Sequence, residues 1–323
     1  MDDTGWIDRR ADELAVPSGP PVAVDLLHAD AELGVDAPRL ATALDYGFAG
    51  GGCQETLAAA LDTVDVGPSR WRPDSFAADL FLEEFVRSCM PVRIDGWRPP
   101  LDHRFLVQVL SRPPSSSRSV DLRRAILSEL IERQDMRRRF GQLYRRLCEL
   151  LSCFEFQACS SRYEATCQRI ATLRLIRDVL SHMDEHFSDA RSGLKRIGDV
   201  GRQVCASEGY RRLVELLDLD EGLARVEVGL QLGADGRVRR FDLLRVVERR
   251  DNRFYVGPLG RWWRKLVLWW RGYRFSDHEL VERWLDRVFG GVRDVLPALV
   301  ELRGHMEVYL AALAFRDECL DQG

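Results

Sequence analysis

Lysine is almost missing from this chain: Lys195 and Lys265 stand against 45 arginines. A phosphate-binding P-loop needs a Gly-rich turn ending in lysine followed by serine or threonine, and here Arg196 and Leu266 follow the two lysines. That absence excludes nucleotide hydrolysis by the P-loop route. Cysteine occurs eight times but never as a CxxC pair or a regular framework. Zinc ribbons and a disulfide scaffold are thereby excluded, and reduced, mostly buried thiols are expected. No stretch approaches about 20 uninterrupted apolar residues, so no membrane span is expected. The chain opens acidic, at Asp2 and Asp3, with no basic segment followed by an apolar one. Neither a secretory signal nor a transit peptide is expected, and cytoplasm is the expected location.

What is present reads as a folded globular chain. Of 323 residues, 46% are hydrophobic and 30% charged, enough to bury a sizeable core without staples. The net charge of −4 hides an asymmetry: 17 acidic against 5 basic residues lie before Val86, which leaves the remainder at +8. Charge that faces a polyanionic partner is therefore expected downstream. The arginine bias has two explanations, genome composition and phosphate recognition, for which guanidinium forks are suited.

The fold class expected is mainly α: long antiparallel helices with one inserted β-hairpin. Residues 1–115 form an acidic leader and a loop-rich helical region, broken at Gly47, Gly50, Gly51 and Gly52 and near Pro68, Pro73 and Pro99-Pro100. After Pro113-Pro114-Ser115-Ser116-Ser117, residues 116–222 carry apolar residues every three to four positions, predicting helices over Asp121 to Arg133, Asp135 to Leu151 and Tyr163 to His186. In the last of these, Arg169, Arg174 and Arg177 are expected to face outward. Residues 223–256 change period. Val226, Val228, Leu230 and Leu232 alternate with polar or small residues, Asp235-Gly236 suits a tight turn, and Val238 to Val247 is rich in β-branched residues. Residues 257–323 return to helix at Asp277, where Ser276 and Glu279 have capping-box spacing, and pause at Gly290-Gly291, with kinks expected at Pro297 and Gly304.

Several residues invite chemistry, each with a plainer reading beside it. Gly50-Gly51-Gly52-Cys53 precedes a helical stretch and could offer amides to a phosphate, yet a connector is the simpler assignment. His182 and His186 are one turn apart, but HExxH is not their pattern and a solvated helix face is expected. Nothing in the sequence fixes Cys53 or Cys89 near His103 as nucleophile and base. The segment from Arg261 to Arg271 sets Trp262, Trp263, Trp269 and Trp270 among basic residues, and burial or a partner interface, nucleic-acid contact and membrane-surface attachment compete for it. Arg237, Arg239, Arg240, Arg245, Arg249 and Arg250 gather on the second strand and just past it, with Arg237 and Arg239 on one face and Arg240 on the other; a phosphate grip and a solvated edge both fit. Arg137, Arg138, Arg139, Arg145 and Arg146 form a second cluster.

From Phe105 to Leu147 the run FLVQVLSRPPSSSRSVDLRRAILSELIERQDMRRRFGQLYRRL resembles the core of the MutS family of DNA mismatch repair proteins, and GGGCQETLAAALD before it is similar to the stretch entering that core. The order of parts adds to the likeness: outgoing helices, a β insertion, then helices returning through Asp277 to Phe315, as in a MutS core, lever and clamp. The resemblance implies a scaffold that grips duplex DNA, paired with a second copy or with an ATPase-bearing protein. It brings neither ATP hydrolysis nor mismatch reading, because the family's ATPase domain and aromatic-x-acid motif have no counterpart here; Phe154-Glu155-Phe156 reads as a packed helix end. No cofactor and no catalytic centre are expected. The alternative is a helical protein–protein scaffold docking a partner through its Trp-rich segment.

Overall fold

The computed structural model describes residues 23–50, 66, 69, 71–155, 162–221, 225–232, 238–247 and 277–322. These residues are mainly helical. Helix α1 (Ala37–Phe48) starts where the Asp36 carboxylate accepts the Arg39 amide and a proline occupies the first turn. Two short helices follow, α2 (Pro73–Asp79) and α3 (Leu82–Cys89), and then α4 (His103–Leu110), capped by Asp102. Next come α5 (Ser117–Glu132), α6 (Gln134–Glu155), α7 (Arg162–Phe187), α8 (Lys195–Cys205) and α9 (Glu208–Glu221). Strands β1 (Arg225–Leu232) and β2 (Val238–Val247) precede α10 (Asp277–Gly290), a single 3-10 turn (Arg293–Val295) and α11 (Leu296–Gln322). Pro297 lies in the first turn of α11, where its missing N–H is not needed, so it opens that helix instead of kinking it; α11 then continues through Gly304.

One continuous cluster of buried apolar residues runs from Val24 to Leu313. The Pro113-Pro114 stretch is therefore a connection between α4 and α5 within a shared core. Helix α6 supplies its centre, with Phe140, Leu143, Tyr144, Leu147, Leu150 and Phe154 fully buried. Each such leucine or phenylalanine contributes on the order of 1.5–3 kcal/mol. Phe154 packs against Phe289 of α10, so the first part of Phe154-Glu155-Phe156 is a packed helix end; Phe156 lies outside the described residues. Arg169 departs from the outward position expected of it. Its guanidinium lies 4.5 Å from the Phe48 ring and pairs with Asp286, which ties α7 to α1 and α10. The thiols also differ from expectation: the six described cysteines are all free, but Cys167 and Cys319 are exposed.

The ladder between β1 and β2 is antiparallel. Val226 stands opposite Val246, Val228 opposite Leu243, Leu230 opposite Phe241 and Leu232 opposite Val238, whereas Glu227 faces Arg245 and Gln231 faces Arg240. Two register shifts make this matching possible, because Leu244 and Arg239 are left without a partner across the ladder. Without them, a one-residue slip would set apolar against polar residues. The turn residues Asp235 and Gly236 lie outside the described residues.

Helix α8 approaches α7 so closely that glycine is required. A Cβ on Gly201 would sit 2.6 Å from the Asp184 amide nitrogen, and one on Gly198 would sit 2.8 Å from the Phe187 carbonyl carbon. Helix propensity alone favours alanine over mid-helix glycine by about 1 kcal/mol. The close approach reverses that sign. Gly201→Ala is expected to lower the unfolding free energy by about 1–3 kcal/mol, measured by chemical denaturation; a gain in stability would show that the two helices do not touch here.

Candidate nucleic-acid interface

Of the basic residues expected to meet a phosphate backbone, Arg239, Arg240 and Arg245 lie on β2, with Arg240 and Arg245 at paired positions and Arg239 at a register shift. The simple alternation expected for Arg237, Arg239 and Arg240 is therefore interrupted at Arg239. Arg237, Arg249, Arg250, Trp262, Trp263, Trp269 and Trp270 lie outside the described residues, as do Cys53 and the Gly51-Gly52 turn.

The arginines of α6 are not a free basic face. Arg137 pairs with Asp317 of α11, and Arg139 donates to Asp189 at 2.9 Å and to the His186 carbonyl at 3.2 Å. Arg145 pairs with Glu149 at 3.1 Å, and Arg146 donates to the Asp178 carbonyl at 3.1 Å. Only Arg138 of the five is an exposed side chain with no partner among the described residues. Arg133, just before α6, adds a further knot by bridging Glu129, Asp135 and Asp189. Hydrogen bonds from Arg133 hold the Asp189 carboxyl below its ordinary range. Arg133 and Arg139 join helix ends to one another. A cleft of about 450 Å³ between residues 91–95, α6 and the end of α11 repeats the pattern: Arg93, Arg137 and Arg138 share its walls with Asp95, Asp317, Glu318 and Asp321, which leaves no net positive charge to attract an anion.

His182 differs from the solvated face expected for it. It is buried, its Nε2 lies 3.1 Å from the Arg139 carbonyl, and burial holds its pKa down to about 4. His186 packs edge-on 4.4 Å away. No cluster of three or more metal-ligating side chains occurs among the described residues. No helix among them is long and apolar enough to cross a membrane.

The most unusual chemistry is a buried polar hub in α11, which sequence reading did not single out. Glu301, His305 and Glu307 are all inside the core, on a helix buried on nearly every side. A strap at residues 24–34 meets them. His305 Nδ1 accepts the Leu26 amide at 3.3 Å, Glu301 accepts the Gly34 amide at 3.0 Å, and the Tyr309 hydroxyl donates to the Leu26 carbonyl at 2.6 Å. From the other side, Arg123 donates to the Leu27 carbonyl, and Arg196 donates to the carbonyls of Asp25, His28 and Ala29. Asp25 folds back on the strap, accepting the Leu27 amide at 2.7 Å and the His28 ring at 2.7 Å. Glu307 accepts from the Tyr144 hydroxyl and the Asp102 amide, with Arg303 at 3.3 Å.

Electrostatics follow from burial. Desolvation drives His305 down to about 4, so it is neutral near pH 7, and its 3.6 Å approach to Glu301 and 3.7 Å approach to Asp25 are not ion pairs. Its Nε2 is left without a hydrogen-bond partner. Burial, reinforced by the charge of Asp25, pushes Glu301 up to about 7. Burial also raises the Asp25 carboxyl, but the His28 hydrogen bond and its neighbours outweigh this and leave it lowered; His28 is raised in turn. A sequence signal for the hub does exist: acids and a histidine interrupt the run from Leu296 to Phe315, which has no polar stripe.

No protein-family model matches the chain, and comparisons with curated proteins and with solved structures give no match either.

The raised Glu301 favours the folded state most below its ordinary value of 4.5, and that contribution is lost as pH rises through about 7. Glu301→Gln keeps an oxygen for the Gly34 amide and removes the titration. The stability of the variant relative to the parent chain is therefore expected to climb between pH 5 and pH 8, by up to ~3 kcal/mol, in melts across that range. A difference that does not change with pH would remove Glu301 from this role.

Proposed function

We propose that this chain is a non-catalytic, MutS-like DNA-binding scaffold that grips the duplex backbone through the arginines of its strand ladder. The observation that carries the reading is the placement of the ladder. It is inserted between α9 and α10, two helices that pack against each other; they meet most closely at the ends away from the ladder, where a Cβ on Gly209 would lie 2.0 Å from the Gly291 carbonyl oxygen. Helices leading out, a β element at their end and a helix leading back are the parts of a lever and clamp. Three further points bear on the mechanism. Arg239, Arg240 and Arg245 lie on β2, inside the part of the chain from Val86 onward that carries net positive charge. Guanidiniums would meet phosphate oxygens by charge-assisted hydrogen bonds without reading sequence, so affinity would fall with salt. Four of the five arginines of α6 are engaged by acids and carbonyls, which narrows the proposed binding face to the ladder and the basic residues just beyond it. The reading assigns the chain no cofactor and no bond-making step.

The test is fluorescence anisotropy with a labelled duplex of arbitrary sequence across a salt series. Arg240→Ala combined with Arg245→Ala is expected to weaken binding and to flatten the log–log salt slope by about 0.9 for each phosphate that the variant no longer neutralises. Arg145→Ala, which removes a paired arginine on α6, should leave both unchanged. Equal affinity and slope in the parent chain and the ladder variant would sink the proposal.

A further inference from the structure

The structure carries a second surface that the DNA reading does not use. At the turn between α2 and α3, Phe81 adopts a left-handed backbone, φ 50° and ψ 43°, and is 68% exposed. An aromatic residue in that region is strained, and glycine would fit without cost. The core gains nothing from the ring. Around it an apolar strip is continuous: Trp71 packs on Phe76 with centroids 6.4 Å apart, Leu80 lies one turn from Phe76, Phe85 lies one turn from Phe81, and Phe85 meets Phe315 of α11 edge-on at 5.3 Å. Trp71 and Leu80 are themselves 59% and 54% exposed. The rim is acidic. Asp74, Asp79, Glu83, Glu84, Glu318 and Asp321 are exposed and make no ion pair among the described residues. Counting all charges in residues 71–89 and 315–322, seven acids face three arginines.

We infer that this acidic, aromatic strip is a self-association surface whose occupant is the Trp-rich basic segment, residues 261–275, of a second copy of the chain. The two are complementary in both respects that matter. Residues 261–275 contain four tryptophans, five basic residues and no acid, so they offer apolar anchors to the strip and positive charge to its rim. Interfaces concentrate their energy in buried tryptophan, tyrosine and arginine surrounded by a polar rim, and opposite charge sets orientation and rate of encounter. A strained, exposed phenylalanine is the kind of outlier that marks a binding site.

The test uses the full chain in sedimentation velocity over a concentration series, and a fluorescent synthetic peptide of residues 261–275 in anisotropy. The chain is expected to pass from monomer to dimer as concentration rises, and unlabelled peptide should reverse this. Phe81→Gly should keep or raise the melting temperature, because it relieves the left-handed backbone, yet weaken peptide binding roughly tenfold or more. Glu83→Lys with Glu84→Lys should weaken it further and remove its salt dependence. A single mass at every concentration, or peptide affinity that Phe81→Gly and the charge reversal leave unchanged, overturns the inference. These readouts contain no nucleic acid, so their outcome is independent of the DNA-binding test.

Discussion

A buried helix that contains carboxylates and a histidine can exist only if distant backbone groups satisfy them, and that constraint organises this fold. The partners of Glu301 and His305 come from residues 26 and 34, more than 260 positions away in sequence. Unpaired charge in a core costs several kcal/mol. The strap has no regular structure through most of its length, so its own amides and carbonyls need partners as well. Each side answers the other's need. Arg196 and Arg123 close the arrangement by taking the carbonyls that α11 does not reach. The N-terminal part of the described chain and its last helix are thus one mechanical unit.

The same logic explains why so many arginines fail to make a basic surface. At junctions between helices, carbonyls and acids are exposed at helix ends, and a guanidinium with five donors satisfies several at once. Arg133 does this for α5, α6 and the turn after α7, while Arg139 adds the end of α7. An arginine count taken from sequence overstates the charge that remains for a partner, and the overstatement is greatest where helices end.

The helices were legible because their apolar residues recur at helical spacing, and the described bounds of α6 and α7 lie close to those the periodicity predicts. The buried His182 was not legible: one turn from His186 on a charged stretch, its pattern is that of a wet face, and only the packing of α7 against α6 encloses it. Phe81 was equally hidden, since nothing in its neighbours announces a left-handed backbone. The hub left a trace, acids within an apolar run, but the partners that make it tolerable are set by tertiary packing alone. Arg169, placed outward by its position in the repeat, was drawn inward by Phe48 and Asp286.

The two unpaired residues of β2 bear on solubility. Among the described residues the ladder has two strands, and a free strand edge is a template on which another chain can add itself. Extra residues on one strand only, ten against eight, force local coiling and break the even spacing of free amides and carbonyls along that edge. A straight incoming strand would find its hydrogen bonds out of phase after three or four residues. The register shifts that keep apolar residues opposite one another thus also make the β2 edge a poor template for an added strand.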